Sequence, residues 1–199
     1  TAKLVCLVEE MKAFLLREEG VLEEAAAFFT TDSLEKINRS MIILRDIVWA
    51  LEKDILATFN QIRDLAGANG GAPDTESLVK YKKINFLLNC LNRLEVRGRD
   101  SAGIQVSLTT STGNAFREII RRLKEKNLFA ELTNRTGTGD LLNHSIALPC
   151  SVTDLEYGEH DAGETVTFTY KTASIIGELG QNVRDLAQSI REDRLLRAF

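Results

Sequence analysis

Between Leu91 and Leu108 the chain reads LNRLEVRGRDSAGIQVSL. Five of these residues, Arg97-Gly98-Arg99-Asp100-Ser101, bring two guanidinium groups, a carboxylate and a hydroxyl into one turn. A guanidinium presents a fixed fork of donors that suits a carboxylate or a phosphate. Asp100 and Ser101 are side chains that hydrogen-bond to loop amides and hold a turn. Gly98 and Gly103 permit tight backbone geometry around them. A loop that needed only to turn would be satisfied by a single Gly, Asn or Asp. A dense polar set at the boundary between two elements is the usual place for a binding or catalytic site. The plain alternative is that Arg97 and Asp100 pair with each other and close the loop.

Other residue types carry less. His144 and His160 have Asp154, Glu156, Glu159 and Asp161 between and beside them, but the spacing is irregular for a metal site. No metal and no cofactor are expected. The stretch RTGTGD (Arg135 to Asp140) has phosphate-loop composition, yet it follows no strand and lacks the P-loop lysine. Cys6, Cys90 and Cys150 are few and far apart, a reduced pattern and not a disulfide framework. Cys6 and Cys90 fall on apolar helical stripes, where a thiol is a small core residue.

The elements that must hold the Arg97 knot follow from periodicity. Residues 3–29 predict a helix, with Leu4, Val8, Met11, Leu15, Leu22, Ala25 and Phe29 on one stripe. Residues 34–66 predict a second, with Leu34, Ile37, Met41, Leu44, Val48, Leu51 and Ile55 in a heptad seam and Ser33 as its cap. The short connection makes the two antiparallel. A third helix starts at Asp74 or Thr75 and carries Leu78, Tyr81, Ile84, Leu88, Leu91 and Leu94 into the knot. Past the knot, Ile104, Val106 and Leu108 alternate with polar residues as a half-buried strand. A short helix over 114–126 follows. Residues 128–163 are mostly polar, with a possible short strand at SIALP. Residues 164–172 alternate as another strand, and a last helix spans 181–197.

Hydrophobic residues make up 44% and charged residues 27% of the 199 positions, with a net charge of −4, as in ordinary globular proteins. Both signs are spread over the two halves, which argues against nucleic acid or an anionic membrane as partner. No apolar run is long enough to span a bilayer. A cytoplasmic location is the expectation.

The stretch Leu91 to Val106 resembles the helix–loop–strand LRRLEYRGYDSAG(I/L)AV of glutamine–fructose-6-phosphate aminotransferases, which make glucosamine 6-phosphate. A second block, FTYKTASIIGELGQNVRDLAQSI (Phe168 to Ile190), is similar to the family's next strand and helix and falls in the right order. The resemblance implies a class II glutamine amidotransferase domain with an N-terminal-nucleophile (Ntn) hydrolase fold. Its nucleophile is an N-terminal Cys followed by Gly-Ile, which residues 1–199 do not contain, and its HTRWATHG motif is also unmatched. The catalytic Cys is therefore expected ahead of Thr1, and the arginine motif beyond Phe199. In a complete member Arg97 would lie near the nucleophile and orient it or the substrate. Arg99 departs from the family, which usually has an aromatic residue there.

The expected architecture is α+β: an inserted antiparallel helical hairpin over 1–75 plus a third helix. These are attached to a partial Ntn-hydrolase-like sandwich over 76–199 with an insertion at about 110–163. The implied substrates are glutamine and fructose 6-phosphate. The implied partner is a sugar isomerase (SIS) domain, with homo-oligomerisation, and Arg97, Gly98, Asp100 and Ser101 are the site-supporting residues. The alternative is a non-catalytic helical module for oligomerisation or docking, on a degenerate amidotransferase scaffold.

Overall fold

The computed structural model describes residues 2–67, 73–94, 101–137, 142–148, 163–173 and 179–199. They fall into two compact units, Thr1–Gln61 and Ile62–Phe199.

The first unit is a helical hairpin. Helix α1 (Ala2–Ala25) ends in a 3-10 turn over Ala26–Phe28, and α2 spans Thr31–Trp49. The cap of α2 is Thr30, not Ser33: the Thr30 hydroxyl accepts from the Ser33 N–H at 3.3 Å. Val8 and Leu15 of α1 meet Met41 and Val48 of α2, with Leu4, Met11, Ile37, Leu44 and Leu51 packed around them. Lys12 pairs with Glu52 at 2.9 Å and Glu19 with Arg45 at 2.6 Å. Ascending positions on α1 meet descending ones beyond, so the helices are antiparallel, as the short turn requires.

The seam does not run straight to its end. Residues Ala50–Leu56 form a π-helical segment, whose i→i+5 bonds put an extra residue into the turn. The buried stripe shifts by one residue as a result. Ile55, predicted for the seam, is 50% exposed, and Leu56 is buried in its place at 9%. Helix α3 (Ala57–Leu65) follows.

Ile62, Leu65 and Ala66 belong to the core of the second unit. That is why the division lies between residues 61 and 62 and not at about 75. Helix α4 (Thr75–Leu94) is started by Asp74, whose carboxylate accepts from the Ser77 N–H at 2.8 Å. Strand β1 (Ala102–Thr109) and strand β3 (Thr165–Thr172) are antiparallel from Ala102↔Thr172 to Thr109↔Thr165. The two-residue β2 (Ile146–Ala147) lies on the far side of β3, giving the order β1-β3-β2. The described residues thus form a mostly helical α+β arrangement with one three-stranded antiparallel sheet.

Helix α5 (Gly113–Glu125) is capped by Thr112, which accepts from the Ala115 N–H at 3.2 Å. The polar stretch expected as loop contains a helix, α6 (Phe129–Thr136). Leu128 and Leu132 anchor it in the core. The expected last helix is two: α7 (Gln181–Glu192) stops at Asp193, and α8 (Arg194–Ala198) restarts from it. Phe116, Leu123, Leu132 and Ile146 are at most 2% exposed and share one core with Val166, Phe168, Tyr170, Leu186 and Ile190. The described parts of 110–163, read from sequence as an insertion, are therefore integral to the packing. Where the chain re-enters the sheet, Thr110 donates to the Glu164 carbonyl at 2.9 Å. A Cβ on Gly163 would sit 1.9 Å from the Thr110 carbonyl oxygen.

Candidate functional site

Arg97, Gly98, Arg99 and Asp100 lie outside the described residues. So do Cys150, His160 and the acidic residues expected around it. Of the knot only Ser101 is described: it is exposed and leads directly into β1. Two described elements flank the knot. Helix α4 closes at Leu94, and β1 opens at Ala102 beside Thr172. Gly103 faces Lys171, where a Cβ would lie 3.4 Å from both the Lys171 Cγ and the Tyr170 carbonyl. Asn143 accepts from the Lys171 N–H at 2.8 Å. His144, at φ 63, donates its N–H to the Thr169 carbonyl at 2.8 Å. Its ring meets Tyr170 edge-on at 5.8 Å.

Behind this end of the sheet sits a buried polar cluster that the sequence did not announce. Arg135 clasps Asp193 with two bonds, at 3.0 and 2.7 Å. The Tyr170 hydroxyl donates to the same carboxylate at 2.6 Å. The N–H groups of Leu195 and Leu196 donate to it at 2.9 and 3.0 Å. Arg135 also donates to the His144 carbonyl at 2.6 Å. Burial pushes the Asp193 carboxyl up, but these donors outweigh it and hold it below its ordinary range. Burial and the Asp193 charge push the Tyr170 phenol up. Through these bonds the cluster ties α6, β3 and the α7–α8 break together. The signal for it was Asp193 ahead of Arg-Leu-Leu, an N-cap inside what reads as one long helix.

On the outward face of the sheet three polar pairs cross between β1 and β3. Gln105 donates to Thr169 at 3.2 Å, and Ser107–Thr167 and Thr109–Thr165 bond at 2.8 Å each. Beside β1 runs an open groove of about 830 Å³, bounded by α4, by residues 105–110, by Arg122 of α5 and by Arg197–Phe199. Lys80 lies in it and donates to the Leu196 carbonyl at 2.8 Å. Burial pushes the Lys80 ammonium down to about 8; Arg197 adds to this, while Asp74 and Asp193 oppose it.

Cys6, expected in the core, is exposed and donates to Glu10 at 3.3 Å. That bond and the Glu10 charge raise its pKa, which lowers the thiolate fraction a nucleophile needs. Among the described residues no three His, Cys, Asp or Glu side chains are grouped to hold a metal ion, and no helix is long and apolar enough to cross a membrane. Comparisons of the chain with protein-family models, with curated proteins and with solved structures gave no match.

Proposed function

We propose that residues 1–199 are a piece of the glutaminase domain, of Ntn-hydrolase type, of a glucosamine-6-phosphate synthase-like enzyme. In this reading the enzyme transfers the amide nitrogen of glutamine to fructose 6-phosphate. One observation carries it. The two blocks that resemble the aminotransferase family are far apart in sequence, yet they meet as neighbouring antiparallel strands, with Ile104 opposite Tyr170 and Val106 opposite Phe168. Each block also has its helix on the expected side, α4 before β1 and α7 after β3. A thiol outside this chain would attack the glutamine side-chain amide, with the terminal amine moving the proton. Backbone and amide donors would hold the oxyanion. Arg97, Gly98, Asp100 and Ser101 would brace that centre from the α4–β1 junction.

The test begins with the flanking coding sequence, which should supply Cys-Gly-Ile upstream and His-Thr-Arg-Trp downstream. The longer protein should release glutamate from glutamine. Arg97→Ala in it should lower kcat/KM for glutamine by roughly 100-fold, the scale of a misplaced reacting group. A longer protein that lacks both motifs and leaves glutamine intact overturns the reading.

A second reading, a helical module for self-association, is favoured by the outside of the hairpin. Leu7, Phe14 and Val21 recur every seven residues along α1 and are 46%, 42% and 54% exposed. Deleting residues 3–61, which spares Ile62, Leu65 and Ala66 of the second core, should change the sedimenting species under this reading and leave it unchanged under the first.

A further inference from the structure

We propose that the open edge of β1 accepts an extended, acidic peptide segment from a separate partner protein, which adds to the sheet as a fourth strand. Among the described residues β1 pairs only with β3. The direction of its backbone groups follows from the ladder. Thr110 donates to the Glu164 carbonyl, so Ile104, Val106 and Leu108, of the same parity, point their N–H and C=O groups at β3. Gly103, Gln105, Ser107 and Thr109 then point theirs away from the sheet. Strand β3 gives an independent check: Thr169, opposite Gln105, exchanges its backbone bonds with His144 and Ser145 on the other side, at 2.8 and 3.0 Å.

Natural edge strands are usually blunted by lysine, proline, a bulge or a covering element. Ala102–Thr109 contains no lysine or proline, and its register runs unbroken over eight pairs. What lies beside it is the groove of about 830 Å³, a width of open space into which an extended chain can lay main-chain bonds. The groove also carries a charge preference. Lys80, Lys83, Arg122 and Arg197 line it against Asp74 and Glu76. Val79 and Leu87, both exposed, supply apolar wall for alternate side chains of the incoming strand. A second copy of this chain is the wrong occupant, because edge-to-edge pairing would bring the same cations together. The inference does not rest on the glutaminase reading and competes with it for this edge: a longer protein whose own flanking strand pairs with β1 would exclude the peptide.

The probe is a fluorescent eight-residue peptide alternating glutamate and valine, titrated against the full chain and followed by anisotropy. Saturable binding is expected, weakened roughly tenfold by a rise from low to high salt. The same peptide N-methylated at every backbone amide keeps its side-chain charge but has no main-chain N–H to give the edge, and should bind at least about tenfold more weakly. Lys83→Glu with Arg122→Glu, both at exposed positions, should weaken the unmodified peptide by a similar factor while the circular dichroism spectrum stays unchanged. The proposal is overturned by no saturable binding at about 1 mM peptide. It is equally overturned by binding that ignores N-methylation, or by sedimentation in which the chain pairs with itself and excludes the peptide.

Discussion

Asp193 shows how much one side chain can carry. Its carboxylate has 1% of its side chain exposed and meets Arg135, Tyr170 and two backbone N–H groups. Asp193→Asn would take from the Arg135 guanidinium, itself 14% exposed, its nearer counter-charge and leave it Glu131 at 3.4 Å. Removing one partner of a buried pair typically costs about 3–5 kcal/mol, and urea titration at pH 7 should show a loss of that size. Because the folded carboxyl lies below the ordinary value of 3.8, its contribution is present above that pH and fades as pH falls through the folded value. The gap between wild type and the variant should therefore close in acid. Lys80 runs the other way. Its folded pKa of about 8 lies under the usual 10.5, so the cost of its charge is in force below 8. That cost lifts as pH climbs toward 10.5, where the unfolded chain still holds the proton. Relative to Lys80→Gln, the wild type should gain stability on the order of 3 kcal/mol across that window; a flat difference would refute it.

At the scale of elements, the one-residue shift inside Ala50–Leu56 separates what periodicity can tell from what it cannot. Leu56→Ala should cost about 2–5 kcal/mol as a core truncation, and Ile55→Ala should stay within roughly 0.5 kcal/mol, although the heptad spacing assigns the seam to Ile55. Reversal of the two values in thermal or urea melts would restore the straight seam. The strong periods were legible: Val8 and Leu15 against Met41 and Val48, Ile104 and Val106 on β1, Phe116 through Leu123 on α5. The local irregularities were not. A π turn leaves no mark in residue type, because each of its residues is an acceptable helix former. Helix α6 reads as loop because its polar residues outnumber Leu132, yet Leu128 and Leu132 suffice to seat it. The Arg135–Asp193 clasp joins residues from α6 and the α7–α8 break, a long-range pairing that no spacing along the chain encodes. Of the knot, only Ser101 can be followed from its sequence position to a place in the fold.

For the molecule as a whole, the two units rest on unequal foundations. Among the described residues, the first is closed by five buried side chains, Val8, Leu15, Met41, Val48 and Leu56, whereas the second gathers twenty-two. At about 1.5–3 kcal/mol for each fully buried apolar side chain, the hairpin has little to set against the entropy of ordering its backbone. Hydrogen exchange should register the difference, with amides of α1 and α2 opening well before those of β3 and α7; equal protection would contradict it. The second unit has its own fixed point at Gly163. Because nothing larger than hydrogen fits between that residue and the Thr110 oxygen, the strand that follows is threaded through a single permitted eyelet. Its entry alongside β1 is held at that point, next to the bond from the Thr110 N–H to the Glu164 carbonyl.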